Sequence, residues 1–447
     1  MFLLHGNKVI EMKSVVVFDF SKKNFYSLTP LIATLDLDEE LQDIDVILEQ
    51  DIDAKFLKSL LTKYNRIVAG FSFRTAQLPE IYKRISKIYK SLQPIELDKI
   101  TFIAGGSHAS GSPYTTLRTG FDVAFVGEAE YSLPFFLKKW ILNEDIYQTP
   151  GIAYLESLNH QIMTERPPPI ILDDYQFLSK TRGLYPPLEI SRGCAFGCTF
   201  CQVPTLFQHR IRHRSISTIL DVIKWMAQRK LNDIRFITPN SLGYMSRKPR
   251  EVNHQAIVEL LSSIRKIKGI RDIYFGTFPG EVRPETVSKE IMLDIKPYIS
   301  NSRISIGLQS GSDEVLEEIH RGHTVEEGID AIMTLLEIGF IPIVDIIIGL
   351  PSATEEDEFK TIKIIEELIK QKAKIRAHVF MPLPGTALEN VSFKPIYPRI
   401  KKILGKLSSK GKIEGSWPHQ ELYAKTAWET AQKLLELPPI IRPNNDL

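Results

Sequence analysis

"SRGCAFGCTFCQVP" spans residues 191–204 and holds Cys194, Cys198 and Cys201, the only cysteines among 447 residues. An odd, clustered set is not a disulfide framework and points to a reducing compartment. The spacing Cys-x3-Cys-x2-Cys, on a glycine-containing loop, suits a cuboidal iron–sulfur cluster whose irons take thiolate ligands. Three thiolates leave one iron with an open coordination position, which a catalytic cluster needs. Zinc is the first alternative, with His209 completing a Cys3His tetrahedron, although structural zinc more often draws on two separated ligand pairs. Accidental clustering of buried thiols is the second. The cluster ranks ahead of zinc, and zinc ahead of accident.

The cysteines follow an apolar stretch, "PLEISRG" (187–193), that opens an alternating series. Further strands are expected at "IRFITP" (234–239), "DIYFGTF" (272–278), "RISIGLQ" (303–309), "IPIVDIIIG" (341–349) and "KIRAHVFMP" (374–382). Helical patterns separate them, such as "SISTILDVIKWMAQRK" (215–230), with Ser217 as a candidate cap and Ile219, Val222, Ile223 and Met226 as its buried stripe. Six βα units fall short of the eight that close a barrel, so a partial TIM-like barrel is expected over 186–390. Active sites of such folds gather at the carboxyl ends of the strands, where the cysteine loop lies.

Upstream, residues 14–145 repeat a strand–helix alternation. The strands "SVVVFDF" (14–20), "DVILE" (45–49), "RIVAGFSF" (66–73), "ITFIAGG" (100–106) and "FDVAFVG" (121–127) do not alternate polar with apolar, as strands covered on both faces should not. The fold class is therefore α/β: a doubly wound, Rossmann-like parallel sheet over 1–148, then the barrel. Residues 149–185 read as a short hairpin and a Pro-rich linker around Pro167, Pro168 and Pro169. Residues 391–447 read as a basic, largely helical extension.

Composition excludes several classes of function. A net charge of +2 gives no general pull toward nucleic acid. The first residues are interrupted by His5, Lys8, Glu11 and Lys13, and no apolar run is long enough to cross a membrane. A cytoplasmic protein is the simplest expectation.

"CAFGCTFC" (194–201) resembles the signature loop of radical SAM enzymes, and "RISIGLQSGSDEVLEEIHRGHTVEEGIDAIMTLLEIGFIPIVDIIIGLP" (303–351) resembles the fourth and fifth strands of their barrel. The resemblance implies that Cys194, Cys198 and Cys201 hold a [4Fe-4S] cluster and that the open iron chelates S-adenosylmethionine. It places Phe200 near the adenine and Glu281 by the amino acid part of that cofactor. Gln309 and Ser310 fall at the ribose, Arg321 at the carboxylate, and Gly349 where the backbone approaches. For Glu281 and Arg321 a helix-terminal charge is the competing reading. The usual Gly-Glu-Thr after "GLP" is replaced by Ser352, Ala353 and Thr354, which carry no inherited role.

"FIAGGSHASGSPYTTLRTGFDVAFVGEAEYSLPFFLKKW" (102–140) resembles the cobalamin-binding domain of cobalamin-dependent radical SAM enzymes. The resemblance places Gly105, Gly106, Ser107 and His108 at one strand end and Gly127 and Glu128 at the next, with Ser72, Arg74 and Gln77 facing the corrin. The Asp-x-His-x-x-Gly motif that supplies cobalt with a histidine is absent: the corresponding loop reads "FDFSKKNFYSLTP" (18–30). His108 is expected at the nucleotide tail rather than at cobalt. A domain that has lost cobalamin also fits the residues, since fold alone does not fix function.

Together these resemblances imply methylation of an unactivated carbon by way of a 5′-deoxyadenosyl radical and methylcobalamin. An external electron donor of the ferredoxin or flavodoxin kind supplies the reducing power. The rivals are methylthiotransfer, whose enzymes carry three further cysteines, ring or carbon–carbon bond formation, and a non-catalytic cobalamin or redox sensor. The segment "QHRIRHR" (208–214) reads as a solvated turn or as a seat for an anionic group, and "ITPNSLGY" (237–244) as cavity lining. The substrate class, whether small molecule, lipid or peptide, stays open, and nucleic acid is not favoured.

Overall fold

Val15, Val16, Val17 and Phe18 are all buried, which a strand requires when helices cover both faces of its sheet. They belong to β1 (Ser14–Asp19), which pairs in parallel with β2 (Asp45–Glu49) and β3 (Arg66–Ser72). β4 (Ile100–Gly105) and β5 (Val123–Phe125) continue the parallel run. The strand order β2-β1-β3-β4-β5 is that of a flavodoxin-like sheet, whose topological switch lies between β1 and β3. The computed structural model describes residues 13–442. They form two compact units, one reaching Pro168 and including Ser179–Gly183 and the chain from Thr430, the other made of Pro169–Leu178 and Leu184–Glu429.

The hairpin expected in a linker extends this first sheet. β6 (Ile152–Ser157) pairs antiparallel with β5, and β7 (His160–Met163) pairs with β6, giving seven strands. The buried side chains of Ile152 and Ala153 add to the core and draw the hairpin in. The compact unit accordingly runs past the expected boundary at 148.

In the second unit β8 (Leu188–Glu189) and β9 (Ser191–Arg192) are short, and β10 (Arg212–His213) pairs antiparallel with β9. β11 (Asp233–Ile237) lies between β8 and β12 (Asp272–Tyr274), all parallel. β13 (Arg303–Gln309), β14 (Ile341–Ile348), β15 (Lys374–Val379) and the added β16 (Ile413–Glu414) form a second parallel run. Gly276, at φ +67°, ends β12 earlier than its sequence suggests. The chain then rejoins the sheet, Gly280 bridging Thr238 and Val282 bridging Ile306, so the two runs are continuous. Six parallel strands plus the short β16 enclose a core of Ile190, Phe236, Phe275, Ile306 and Val344, which fits the partial barrel expected.

Ser215, not Ser217, caps the helix Ile216–Gln228, its side chain accepting from the Thr218 N–H. Ser217 Oγ lies 3.0 Å from Ser215 Oγ. Ile219, Ile223 and Met226 are buried as expected, with Val222 packed at the edge.

Candidate functional site

The cysteine loop is fixed at its root by backbone contact. Gly193 sits at φ +83°, and a Cβ there would coincide with the Arg210 carbonyl oxygen. Arg192 holds Glu189 through two bonds of 2.8 and 2.9 Å. Buried Arg214 donates to the carbonyls of Glu189, Leu172 and Tyr175. These charge-assisted bonds clamp both legs of the loop, leaving its tip, Ala195 and Gly197, exposed.

Cys198 is buried, and two guanidiniums converge on it. Nη1 of Arg283 and Nη1 of Arg321 each lie 3.7 Å from its Sγ. Arg283 also stacks 3.5 Å above the Phe196 ring and pairs with Glu285. Arg321 donates to the Gly307 carbonyl at 2.8 Å, while its buried Nε–H has no partner. Burial pushes the Cys201 thiol up to about 12 and raises that of Cys194. Three thiols beside two cations and an unpaired buried donor fit an anionic, thiolate-held cluster. The zinc alternative needs His209, which lies exposed on the turn after Phe207. Among the described residues no three His, Cys, Asp or Glu side chains converge on a single-ion site.

Beyond the loop, at the carboxyl ends of the strands, is a cavity of about 560 Å³. Phe200, Glu281 and Gln309 line it, as the sequence reading requires of groups that share one ligand. Desolvation raises the Glu281 pKa, Arg321 opposes the rise, and Asp345 adds to it. Gln309 ends β13 at φ +74°. Phe200 packs beside Leu350 and Phe380. Ser310 is turned elsewhere: its Oγ accepts from the Ser312 N–H at 3.2 Å and lies 3.5 Å from Thr361 Oγ1. Arg321 faces Cys198, and Gly349, at φ +79°, donates its N–H to Glu358 at 2.7 Å.

Sequence reasoning missed Arg283 and a polar wall of the cavity. Asp345 on β14 takes two bonds from Arg376 on β15, at 2.5 and 2.6 Å, and one from His378 at 2.8 Å. Those partners hold its carboxyl below the usual range despite burial. Gln420 fixes the end of the wall by accepting from the Val379 N–H. The available signal was an Arg-x-His alternation in "KIRAHVF", which puts both side chains on one face of a strand.

In the first unit the switch point between β1 and β3 is occupied by Asn24. Its Nδ2 donates to the Asp19 carbonyl at 2.6 Å and the Ser72 carbonyl at 3.1 Å, tying the two strand ends together. Asp19 is held by Arg84, and Ser72 Oγ lies 2.9 Å from Ser27 Oγ. Gly106, at φ +91°, allows its backbone to rest against that of Phe73. Gly105 ends β4 and Ser107 lies in the following turn of helix. The Gly127 N–H donates to Ser110 at 2.9 Å, with half-buried Glu128 beside it. Arg74 is exposed, and Gln77 accepts from its N–H, so Gln77 serves the turn. No imidazole reaches this crevice from the β1 loop.

His108 is a correction. Expected at the nucleotide tail, it is instead 1% exposed and stacked on Phe73, with its ring nitrogens 3.2 Å from Thr75 Oγ1 and 3.1 Å from Thr115 Oγ1. The apolar strand-end residues around it favour an inward ring whose polar atoms the two threonines satisfy. Burial lowers its pKa from 6.5 to about 3. The neutral ring is compatible with the fold above pH 6.5. Below that the unfolded chain binds the proton first, so stability falls as pH drops from 6.5 toward 3, by about 1.4 kcal/mol per unit. Urea unfolding at pH 7 and pH 5 should show His108→Gln losing roughly 2 kcal/mol less than the wild type over that step. Equal losses count against the assignment.

Residues 188–388 match the family described as the radical SAM superfamily. The chain is 30% identical over 204 residues to a tRNA-2-methylthio-N(6)-dimethylallyladenosine synthase of Sulfurihydrogenibium sp., covering 44% of each chain. It therefore spans less than half of that relative's length. An uncharacterized methyltransferase of Pyrococcus horikoshii is 24% identical over 366 residues, 78% of this chain and 74% of its own. The structure of the radical S-adenosylmethionine methyltransferase TsrM from Kitasatospora setae, with cobalamin and [4Fe-4S] cluster bound, superposes with TM-score 0.63 at 14% identity, covering 87% of this chain and 79% of that one. The cobalamin-dependent S-adenosylmethionine radical enzyme OxsB superposes with TM-score 0.61 at 18% identity, covering 95% and 61%.

Residues 188–388, less than half of the chain, match the radical SAM superfamily, whose enzymes use a [4Fe-4S] cluster and S-adenosylmethionine. The chain's fold is that of the cobalamin-dependent members TsrM and OxsB. Among the described residues no helix is long and apolar enough to cross a membrane.

Proposed function

We propose that this chain is a cobalamin-dependent radical SAM methyltransferase acting on a carbon of its substrate. The observation that carries the reading is the fold likeness to TsrM and OxsB, which takes in the sheet upstream of the cysteine loop as well as the barrel. When bound, the cluster supplies the electron that splits the sulfonium of S-adenosylmethionine, and cobalamin supplies a transferable methyl group. Cys194, Cys198 and Cys201 hold the cluster, and Arg283 and Arg321 balance its negative charge at Cys198. Glu281, Gln309 and Phe200 line the cavity and would receive the amino group, the ribose and the adenine of S-adenosylmethionine. Apolar residues line much of the cavity, and the Asp345–Arg376–His378 wall offers polar groups to orient the substrate. In the first unit the crevice between β1 and β3 would hold the corrin, and the loop that follows β1 carries no histidine.

Methylthiotransfer is the second reading, favoured by the tRNA-modifying relative. Against it, this chain holds no cysteine beyond the one loop with which to bind a second cluster. The test is anaerobic reconstitution with iron and sulfide, with and without cobalamin. The expected protein binds both groups, forms 5′-deoxyadenosine under reduction, and shows a corrin absorbance without a histidine ligand. Reconstituted protein that binds no cobalamin, yet cleaves S-adenosylmethionine, overturns the methyltransferase reading in favour of methylthiotransfer.

A further inference from the structure

Asp345 and Arg376 are register partners on β14 and β15, and His378 follows Arg376 on the same face of its strand. The Arg376 guanidinium commits Nε and Nη2 to the two oxygens of Asp345. A guanidinium carries five N–H groups in a planar fork, so this side-on pairing leaves its far edge, at Nη1 and Nη2, without an acceptor. Among the described residues Nη1 has no hydrogen-bond partner, it is not sealed from solvent, and Arg376 lines the cavity.

Asp345 has no such free edge. Its Oδ1 accepts from Arg376 Nε and His378 Nε2, its Oδ2 from Arg376 Nη2, and its side chain is only 5% exposed. The wall therefore offers the cavity donors rather than acceptors. It is also fixed before any ligand arrives. His378 Nδ1 lies 3.4 Å from Gln420 Nε2, and Gln420 accepts from the Val379 N–H, so the helix that begins at Trp417 braces the pair. A guanidinium already held in plane loses little further rotamer freedom on binding. Phe278, Phe380, Met381 and Leu383 make much of the remaining lining apolar, so a ligand finds few other polar anchors there.

We propose that the free edge of Arg376 is a carboxylate-binding subsite and that the substrate of this cavity carries a carboxylate. The inference names a substrate class within the methyltransferase reading and rests on that reading. Two parallel N–H groups match the two oxygens of a carboxylate, and bidentate, charge-assisted bonds of this kind are strong. A neutral amide presents one oxygen to the same edge and forfeits the second bond and the charge. An amine finds no open acceptor, because the Asp345 oxygens are taken. The role is binding alone: no bond breaks and no proton moves at this edge.

The test uses the full chain, reconstituted anaerobically with its cluster and loaded with S-adenosylmethionine. The probes share one shape: 3-phenylpropanoate, 3-phenylpropanamide and phenethyl phosphate. Calorimetry on the wild type should show the carboxylate binding at least about tenfold more tightly than the amide. Arg376→Lys keeps a charge beside Asp345 but lacks the fork, and Arg376→Gln lacks both; each should lose most of that preference. The wild-type comparison needs no variant, so it decides the matter even where a variant fails to fold. Equal affinity for carboxylate and amide overturns the proposal, as does failure of the carboxylate to bind at millimolar concentration or an undiminished preference in folded Arg376→Gln. Tighter binding of the phosphate overturns it in favour of a phosphate subsite. Formation of 5′-deoxyadenosine by the wild type under dithionite is scored separately. Its failure strikes the radical SAM reading, whereas the carboxylate preference is read from binding without turnover.

Discussion

Cys198→Ala is expected to load no stable cluster and to lower 5′-deoxyadenosine formation by at least about 1,000-fold, or 4 kcal/mol of barrier. Cys198 is the most enclosed of the three thiols and the one at which Arg283 and Arg321 converge. Two remaining thiolates cannot hold three corners of a cuboid, and the guanidiniums then face a methyl group. The loss should show as missing visible absorbance of the cluster, with unchanged circular dichroism of the apo-protein. Cobalamin absorbance should survive, because the crevice between β1 and β3 contains none of the cysteines. Retention of the cluster signal by the variant, or one zinc per wild-type chain, would sink the assignment of the loop.

The architecture was legible because it is written in apolar runs. Five runs upstream and six downstream became the parallel strands of the two units, and the cysteine loop fell at a strand end as its position implied. The hairpin was grouped with the linker because three prolines, Pro167 to Pro169, follow it directly. Only tertiary pairing of Ile152 and Ala153 with β5 shows that it completes the sheet. Glu281, Gln309 and Phe200 were singled out through a family pattern, and they line one cavity. The inward turn of His108 was not legible, since a histidine after two glycines looks the same whether its ring turns outward or toward Thr75 and Thr115. Arg283, Asp345 and Arg376 lay hidden for a related reason. A charged residue in a sequence reads as surface until its buried partner is known, and those partners are remote along the chain.

Gly193→Val is the sharper test of how the loop is held. The position combines φ +83° with a would-be Cβ on top of the Arg210 carbonyl oxygen, so the backbone must shift on both legs at once. A β-branched residue at positive φ is strained even in open space. Overlap with a clamped carbonyl raises the cost to about 3–5 kcal/mol, within the range of severe single substitutions. Gly405 supplies the contrast. It lies inside the helix Pro398–Ser409 of the same unit, with nothing within 4 Å of a Cβ. Gly405→Ala should therefore stabilise by about 0.5–1 kcal/mol, through the lower conformational freedom of the unfolded chain. In denaturant titrations the two variants should move in opposite directions. Gly193→Val should also fail to load the cluster although all three cysteines remain, because Arg192, Glu189 and Arg214 clamp the legs of a loop whose root no longer closes. A Gly193→Val protein that reconstitutes fully would mean that the cysteines find the iron without that root, and that the clamp serves the barrel edge alone.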